Sequence, residues 1–363
     1  MIINLFVFWR LGLLLVTFLG SRVFPLVANE SPGAIGTGKV FDYWLSWAQW
    51  DGGNYLSIAT YGYQSLQYFA FAPLFPLLAK ILGFIFLGNI FVAGLVISNV
   101  SFLIFLLLFH SFLKKNYSKS IANSTVVTFL TFPITFFAVA YYSESLFLLF
   151  SIIFFIFLAK HSFIKSAIIV ILASLTRFIG LFLIVSLFYA YFARIKFIPS
   201  RINKMSIGLF ISFLGLVIFS IMTKMAGGHL LQFLLSQSFW QRQPQDPVST
   251  LFSYMWSFVT LQHRPPNDYF DFAISVAFIG LLIRGIRKIP SSLWIFSMLA
   301  ILIPASSGTL SSIPRYALAS LGTFVIIGGS LERHPKLKIP FWAASLFLQA
   351  VLAILFINGY WVA

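Results

Sequence analysis

Trp50-Asp51-Gly52-Gly53-Asn54-Tyr55 is the stretch around which this chain is organised. It follows the first apolar span and sets one of only eight acidic residues between a tryptophan and a glycine pair. Glycines let a backbone approach a ligand closely, and aromatic rings offer flat surfaces to a sugar or a membrane interface. A carboxylate can accept a proton from a hydroxyl, which makes Asp51 the first candidate for a catalytic base. Taken alone, the hexapeptide is equally compatible with an interfacial turn and a solvated aspartate.

The composition predicts a polytopic membrane protein. Of the 363 residues, 60% are hydrophobic and only 9% are charged, whereas about 25% are charged in soluble domains. The first apolar stretch follows no basic region and shows no small-residue cleavage site, so it is interpreted as a retained helix and not a signal peptide. The chain has no cysteine, which excludes disulfides and thiolate chemistry.

The net charge of +16 reflects membrane topology more than nucleic-acid binding. Fifteen of the 24 lysines and arginines fall in short clusters between apolar spans, as expected for cytoplasmic loops under the positive-inside rule. No basic soluble domain remains once these clusters are set aside, so a nucleic-acid partner is not expected. The clusters are Lys114, Lys115 and Lys119; Lys160 and Lys165; Arg194, Lys196, Arg201 and Lys204; Arg284, Arg287 and Lys288; Arg333, Lys336 and Lys338.

The apolar periodicity predicts an all-α integral membrane bundle of about 11 transmembrane helices, at about 20 residues per crossing. A hairpin of two short helices is expected over residues 164–193, interrupted at 174–177, with Arg177 at its far tip. The remaining helices are expected near residues 3–24, 90–112, 121–140, 145–160, 205–225, 270–287, 292–306, 316–331 and 341–360.

Two long segments are predicted on the outer face of a single transmembrane domain spanning residues 1–363. With a cytoplasmic N-terminus, residues 25–88 form the first extracytoplasmic loop, and residues 226–269 form a second that is too polar for hydrocarbon. Parity of the crossings makes the helix at residues 73–87 interfacial or re-entrant, with its prolines in the first turn. The Lys, Ile and Phe bias favours a prokaryotic plasma membrane over the endoplasmic reticulum.

Four arginines stand apart from the cytoplasmic clusters and adjoin apolar sequence on the outer side. Unpaired charge is costly there, and acidic partners are scarce, so an anionic ligand is one interpretation. A phosphate group would be a suitable ligand for these arginines, because a guanidinium binds phosphate with two parallel hydrogen bonds. Contact with lipid headgroups is the alternative, weaker for Arg315, which opens a helix in a compact turn, than for Arg264. The four are Arg177, Arg242, Arg264 and Arg315.

Glu144 and Arg10 are the other unusual charges. Glu144 could bind sugar hydroxyls, pair with an arginine such as Arg177, or begin a helix, where a carboxylate suits the dipole. Arg10, inside the first span, is expected to pair with a carboxylate or to face a polar cavity.

No metal or nucleotide cofactor is expected. The five histidines are scattered without helical pairing, and the chain has neither an Asp-x-Asp motif nor a glycine-rich phosphate loop. A cytoplasmic enzyme that uses nucleotides is therefore disfavoured.

Several motifs in order resemble the second mannosyltransferase of glycosylphosphatidylinositol (GPI) anchor assembly and its prokaryotic relatives, within the glycosyltransferase C superfamily. Together they extend over residues 50–316, and their order makes the set more specific than any one motif. The motifs are Trp50-Asp51-Gly52-x-x-Tyr55-x-x-Ile58-Ala59 with Gly62-Tyr63, Pro73-Leu74-Phe75-Pro76, Tyr142-Ser143-Glu144-Ser145-Leu146-Phe147, Thr176-Arg177-x-x-Gly180 and Pro314-Arg315-Tyr316.

The resemblance implies an inverting glycosyltransferase that moves mannose from a polyprenyl-phosphate donor to an acceptor hydroxyl on the extracytoplasmic face, without an obligatory metal. By analogy Asp51 is the general base, and Arg315, with Arg177 and Tyr316, holds the donor phosphate. The sequence departs from the family in its compact size and in residues 226–269, so the GPI acceptor does not transfer. Sugar or acceptor contacts are predicted for Trp50, Asn54, Tyr55, Tyr142, Glu144, Gln237, Trp240, Arg242 and His263.

Two other classes of function remain open from the residues. A transporter or flippase of a lipid-linked sugar would use the same arginines, but is expected to place polar residues at the bilayer midplane and to show repeated halves. An accessory subunit of a glycosyltransferase complex would need no base. The expected partners are the lipid donor, a lipid-linked or protein acceptor and membrane lipid.

Overall fold

A computed structural model describes residues 1–36 and 38–363, and the described residues are predominantly α-helical. Short 3₁₀ turns connect several helices, including Leu45–Ala48, Leu66–Ala70, Thr135–Val139, Phe178–Phe182 and Ser236–Trp240. The α-helices are α1 (Ile2–Val23), α2 (Asp51–Tyr61), α3 (Leu74–Gly83), α4 (Ile90–Asn116), α5 (Lys119–Thr131), α6 (Glu144–Ala159), α7 (Phe163–Thr176), α8 (Leu183–Arg194), α9 (Ile207–Ile211), α10 (Leu214–Met225), α11 (Gln232–Leu235), α12 (Pro247–Val259), α13 (Pro266–Arg284), α14 (Ser291–Ala305), α15 (Ile313–Ala317), α16 (Leu321–Arg333) and α17 (Lys338–Ile357).

The membrane character of the chain is evident in the length and composition of these helices. Five described segments are long and apolar enough to cross a bilayer, and several others are apolar but shorter. The predicted total of about 11 crossings and the sidedness of the loops stay predictions. The five long segments are Ile2–Val23, Ile90–Asn116, Lys204–Met225, Pro266–Arg284 and Pro335–Ile357.

Three predicted helices differ from the structure, and the one expected at residues 205–225 is divided into α9 and α10. The helix expected at residues 121–140 ends at Thr131, because Phe132 precedes Pro133 and a residue before proline is driven out of the α region. The helix expected at 316–331 begins only at Leu321. There the Ser297 hydroxyl of α14 accepts the Gly322 N–H at 2.9 Å, and the Ser320 hydroxyl donates to the Ser297 carbonyl at 3.0 Å. These side-chain bonds replace helical ones and produce a break.

Other helix boundaries follow from local chemistry that the sequence shows. The predicted interruption at residues 174–177 agrees with the end of α7 at Thr176, and α3 begins directly after Pro73. Asn89 and Asp246 cap α4 and α12 by accepting backbone N–H groups. Hydrogen bonds from Ser249 lower the pKa of the exposed Asp246 carboxyl.

The chain divides into two compact units. Unit 1 comprises Met1–Gln64, Leu74–Leu149 and Ile327–Val362, and unit 2 comprises Ser65–Pro73, Phe150–Ile326 and Ala363.

Unit 1 is built on long helices packed through aromatic side chains. α1 packs against α4 and α17, and α17 packs against α5. Between α4 and α5 the rings of Phe102, Phe105, Phe109 and Phe129 contact one another at centroid distances of 5.1–6.2 Å and are fully buried. Ring pairs of this kind add stability beyond their buried area.

Unit 2 packs shorter helices around α7, α8 and α14. α7 packs against α9 and α10, α8 packs against α14, and α15 lies between α13 and α14. Leu66–Ala70 packs against α11 and Ser236–Trp240, beside a buried cluster formed by Ala72, Phe219 and Phe233. The second long polar segment is therefore folded within this unit.

A charged contact at the end of α16 gives unit 1 a testable pH dependence. Partial burial opposes ionisation of Glu332, but hydrogen bonds from Lys338, Ser120 and Ser124 outweigh it and lower its pKa to about 2. The Lys338 Nζ atom lies 2.6 Å from the Glu332 carboxylate, and the Ser124 hydroxyl also donates to it.

A carboxyl with a lowered folded-state pKa stabilises the protein above its unfolded pKa, near 4.3, and this contribution is lost as pH falls toward 2. We expect Glu332→Gln to lower the unfolding temperature at pH 7, and we expect the difference from the wild type to shrink as pH falls from 5 to 2. Thermal unfolding of the detergent-solubilised protein measures this. A difference that stays the same size between pH 5 and pH 2 would show that the ion pair is not its source.

Candidate functional site

Asp51 is the first residue of α2, where the helix dipole favours a negative charge. It is half-buried, and Trp50 before it has a φ of 54°, which costs a bulky residue about 1–3 kcal/mol. The Trp50 N–H donates to the Ser31 hydroxyl at 2.7 Å, and its indole N–H donates to the Tyr360 carbonyl at 3.0 Å. These bonds hold the strained backbone that sets the direction of Asp51.

The glycine pair after Asp51 serves packing. Both glycines lie in the first turn of α2, and a Cβ on Gly52 would stand 3.0 Å from the Tyr142 ring. A Cβ on Gly53 would stand 2.6 Å from Cδ of Pro32. Close packing of α2 against its own unit therefore accounts for both glycines, and their role in letting a ligand approach the backbone stays a prediction.

We expect Gly53→Ala to destabilise the protein by about 1–3 kcal/mol, because the rigid Pro32 ring cannot move away from the added methyl group. Gly12→Ala is the matched control, since a Cβ on Gly12 meets nothing within 4 Å and alanine favours helix. Thermal unfolding of both variants measures the difference. Equal unfolding temperatures would contradict the packing role.

The segment leading into Asp51 is fixed by the residues before α6. The Tyr142 hydroxyl donates to the Gln49 carbonyl at 2.7 Å, and the Tyr141 N–H donates to the Trp47 carbonyl at 2.9 Å. The Tyr55 hydroxyl lies 2.8 Å from the Ser143 hydroxyl. Buried hydroxyls with protein partners hold the two segments together, so the sequence motifs at residues 50–55 and 142–147 are structurally coupled.

Glu144 is 2% exposed and begins α6, in agreement with the helix-start interpretation. Asn54 is half-buried on α2. The predicted sugar or acceptor contacts of Trp50, Asn54, Tyr55, Tyr142 and Glu144 stay predictions.

Of the two expectations for Arg10, a carboxylate partner or a polar cavity, the first is replaced by contacts with an amide and an aromatic ring. The Arg10 Nε atom donates to the Asn99 side-chain oxygen at 3.0 Å, and its guanidinium lies 4.4 Å from the centre of the Trp47 ring. An arginine over an aromatic face is stabilised by cation–π attraction without a counter-charge. Arg10 thus ties α1 to the loop before Asp51.

Three of the predicted arginines converge on Tyr316 in unit 2. The guanidinium carbons of Arg177 and Arg242 lie 5.2 Å and 5.8 Å from the centre of the Tyr316 ring. Arg242 donates to the Tyr316 hydroxyl at 3.3 Å, and Arg315 is the preceding residue, 5% exposed. Burial opposes ionisation of Tyr316, but the positive charges of Arg242, Arg177 and Arg315 outweigh it and lower its pKa. We call Arg177, Arg242, Arg315 and Tyr316 the arginine cluster.

Local chemistry explains how distant parts of unit 2 supply this cluster. A Cβ on Gly180 would stand 2.4 Å from the Ala173 carbonyl carbon, so glycine allows the turn after Arg177 to fold against α7. The loop 306–312 is held through the Tyr254 hydroxyl, which accepts the Leu310 N–H at 3.1 Å. The Ser311 carbonyl accepts from Arg242 at 3.4 Å.

Arg264 does not join the cluster. It pairs with Asp268 at 3.2 Å, donates to the Ser257 hydroxyl at 3.1 Å, and lies 4.0 Å from the centre of the Tyr254 ring. These contacts replace the predicted choice between a phosphate and lipid headgroups with a protein ion pair that supports Tyr254.

Three other residues of the segment 226–269 that were predicted to contact the sugar or acceptor lie in environments that differ from one another. The Gln237 carbonyl accepts the Arg242 N–H at 3.3 Å, and the Trp240 ring contacts Phe71 at 5.8 Å. His263 is exposed. Gln237 therefore supports the cluster through its backbone, and the roles of Trp240 and His263 in binding an acceptor stay predictions.

In the part of the chain that the structure describes, no group of three or more His, Cys, Asp or Glu side chains is arranged to hold a metal ion.

Comparison with solved structures finds the oligosaccharyltransferase of Archaeoglobus fulgidus. Its apo crystal structure aligns with a TM-score of 0.47 at 10% identity, over 97% of this chain and 56% of that protein. The structure tethered to an acceptor peptide gives 0.46 at 10% identity, with 97% and 55% covered. The complex with an inhibitory peptide and a dolichol-phosphate gives 0.43 at 12% identity, with 97% and 56% covered. This chain thus spans little more than half the length of these proteins.

No protein-family profile matches the chain. No curated protein matches it either. The resemblance to the GPI mannosyltransferase family stays a prediction from the ordered motifs.

Proposed function

We propose that this protein is an integral-membrane glycosyltransferase that moves a sugar from a polyprenyl-phosphate donor to an acceptor hydroxyl, and that the sugar is mannose. The observation that supports it most is the arginine cluster, where Arg177 and Arg242, from two separate stretches of unit 2, meet Arg315 and Tyr316 of a third. Such a set of guanidinium donors suits a phosphate oxyanion. The membrane-length helices suit a lipid-linked substrate.

The cluster's task is to stabilise the charge that develops on the leaving phosphate. As the bond between the anomeric carbon and the phosphate oxygen breaks, that oxygen keeps the electron pair and becomes more negative. Hydrogen-bond donors that are already in place stabilise this charge and lower the barrier to transfer. Tyr316 holds Arg242 in position and contacts Arg177, so these guanidinium groups are ordered before the polyprenyl-phosphate sugar binds. Because a phosphate is a stable leaving group, no second carboxylic acid is required to protonate it.

Asp51 is assigned the acceptor side of the reaction. Its carboxylate accepts the proton of the acceptor hydroxyl while that oxygen forms the new bond to the anomeric carbon, and the configuration inverts. The strained backbone at Trp50 and the bonds from Tyr141 and Tyr142 hold the segment rigidly, as a general base requires. No metal-dependent step enters this scheme.

The test is transfer of radiolabelled mannose from polyprenyl-phosphate-mannose in membranes that contain the wild type, Asp51→Asn or no enzyme. A labelled lipid or protein product made only by the wild type supports the proposal. If the folded wild type makes no product from a range of polyprenyl-phosphate sugars, the transferase proposal fails. Movement of the labelled donor across sealed vesicles would then favour the transporter.

A further inference from the structure

Asp271 is a buried acid that the reaction scheme does not use. It lies in the membrane-length helix α13 and is 2% exposed. Its carboxyl group accepts the backbone N–H of Ser312, and its Oδ1 atom has no hydrogen-bond partner among the described residues. Ionisable residues inside membrane helices are costly and commonly functional, so a purely incidental acid is not expected here.

Ser312 is the residue on which α15 begins. It has a φ of 67°, in the left-handed region, and serves as the N-cap of α15 without a side-chain capping bond. A residue other than glycine keeps this conformation only where its surroundings enforce it. The Asp271 carboxyl group contributes such a constraint, because it accepts the Ser312 N–H where the loop turns into the helix.

The position of α15 determines the arginine cluster. Arg315 and Tyr316 are its third and fourth residues, and Ser311, directly before Ser312, accepts a hydrogen bond from Arg242. A rotation at Ser312 would therefore move Arg315 and Tyr316 and disturb the contact with Arg242 together.

We infer that Asp271 is a positioning residue for phosphate recognition: by accepting the Ser312 N–H, its carboxyl group sets the orientation in which α15 presents Arg315 and Tyr316. The inference rests on the proposed function for its consequence, but the hydrogen bond and the geometry of α15 can be tested without catalysis.

The experiment compares Asp271→Leu, which lacks an acceptor, with Asp271→Asn, whose amide oxygen can still accept the Ser312 N–H. Glu30→Gln is the control, because it removes an exposed carboxylate in unit 1 and leaves the Ser312 bond intact. Hydrogen exchange over residues 306–317 reports the geometry. Binding of a polyprenyl phosphate to the protein in nanodiscs, and KM and kcat for the donor, report the consequence.

We expect Asp271→Leu to speed exchange over residues 312–317 and to weaken polyprenyl-phosphate binding roughly 10- to 100-fold, with KM rising more than kcat falls. Asp271→Asn should stay close to the wild type in every readout. If Asp271→Leu does not fold, Asp271→Ser, too short to reach Ser312, replaces it.

Two results overturn the inference: unchanged exchange in Asp271→Leu, or an Asp271→Asn variant as defective as Asp271→Leu. A wild type that does not bind polyprenyl phosphate counts instead against the proposed function. In that case the exchange data alone decide whether Asp271 positions α15.

Discussion

Asp51→Asn is expected to reduce sugar transfer by about 100- to 10,000-fold, the usual contribution of a general base. The amide matches the carboxylate in shape, so the start of α2 and its packing against Tyr142 should be kept. What is lost is the ability to accept the acceptor's proton. Initial rates of labelled mannose transfer at saturating donor measure the loss.

Glu30→Gln is the matched control for this prediction. Glu30 is an exposed carboxylate in the same unit and pairs only loosely with Lys39, at 3.6 Å. Its neutralisation should leave transfer unchanged, while Asp51→Glu, which restores a carboxylate on a longer arm, should recover part of the activity. If Asp51→Asn, correctly folded, transfers at the wild-type rate, Asp51 is not the base and Glu144 becomes the candidate to test.

Hydropathy and local chemistry predicted most of the fold. Long apolar runs indicated α1, α4 and α17, because a bilayer requires such runs. Helix ends were harder to predict. The end of α5 was marked by Phe132-Pro133 and could have been recognised, but the break before α16 depends on Ser297 of α14, a contact between residues distant in sequence.

The site was predictable only in part, for the same reason. Asp51 was recognised because the chain has few acidic residues. Arg177 and Arg315 were recognised because they adjoin apolar sequence away from the basic clusters, where an unpaired charge is costly. Contacts within unit 2 decided the rest: Arg242 joins Tyr316, whereas Arg264 pairs with Asp268. Asp271 carried a usable signal, an acid inside an apolar helix, but its partner is a backbone N–H 41 positions away, which no local pattern reveals.

Arg315→Gln is expected to weaken donor binding and transfer by about 10- to 150-fold, because a hydrogen bond to a charged group contributes about 1.5–3 kcal/mol. Arg315→Lys should restore little, since an ammonium lacks the planar fork that binds two phosphate oxygens. Binding of polyprenyl phosphate and KM for the donor measure the effect. Arg284→Gln, an exposed arginine at the end of α13, is the control and should match the wild type.

The losses expected for Asp51→Asn and Arg315→Gln should be separable, because Asp51 acts on the acceptor and Arg315 on the sugar donor. Arg315→Gln should lose polyprenyl-phosphate binding, whereas Asp51→Asn should bind it as the wild type does and fail in turnover. A transporter or an accessory subunit needs no general base, so in such a protein Arg315→Gln would weaken binding of the lipid whereas Asp51→Asn would have no effect. If Arg315→Gln binds polyprenyl phosphate normally, the arginine cluster is structural and the phosphate must be held elsewhere.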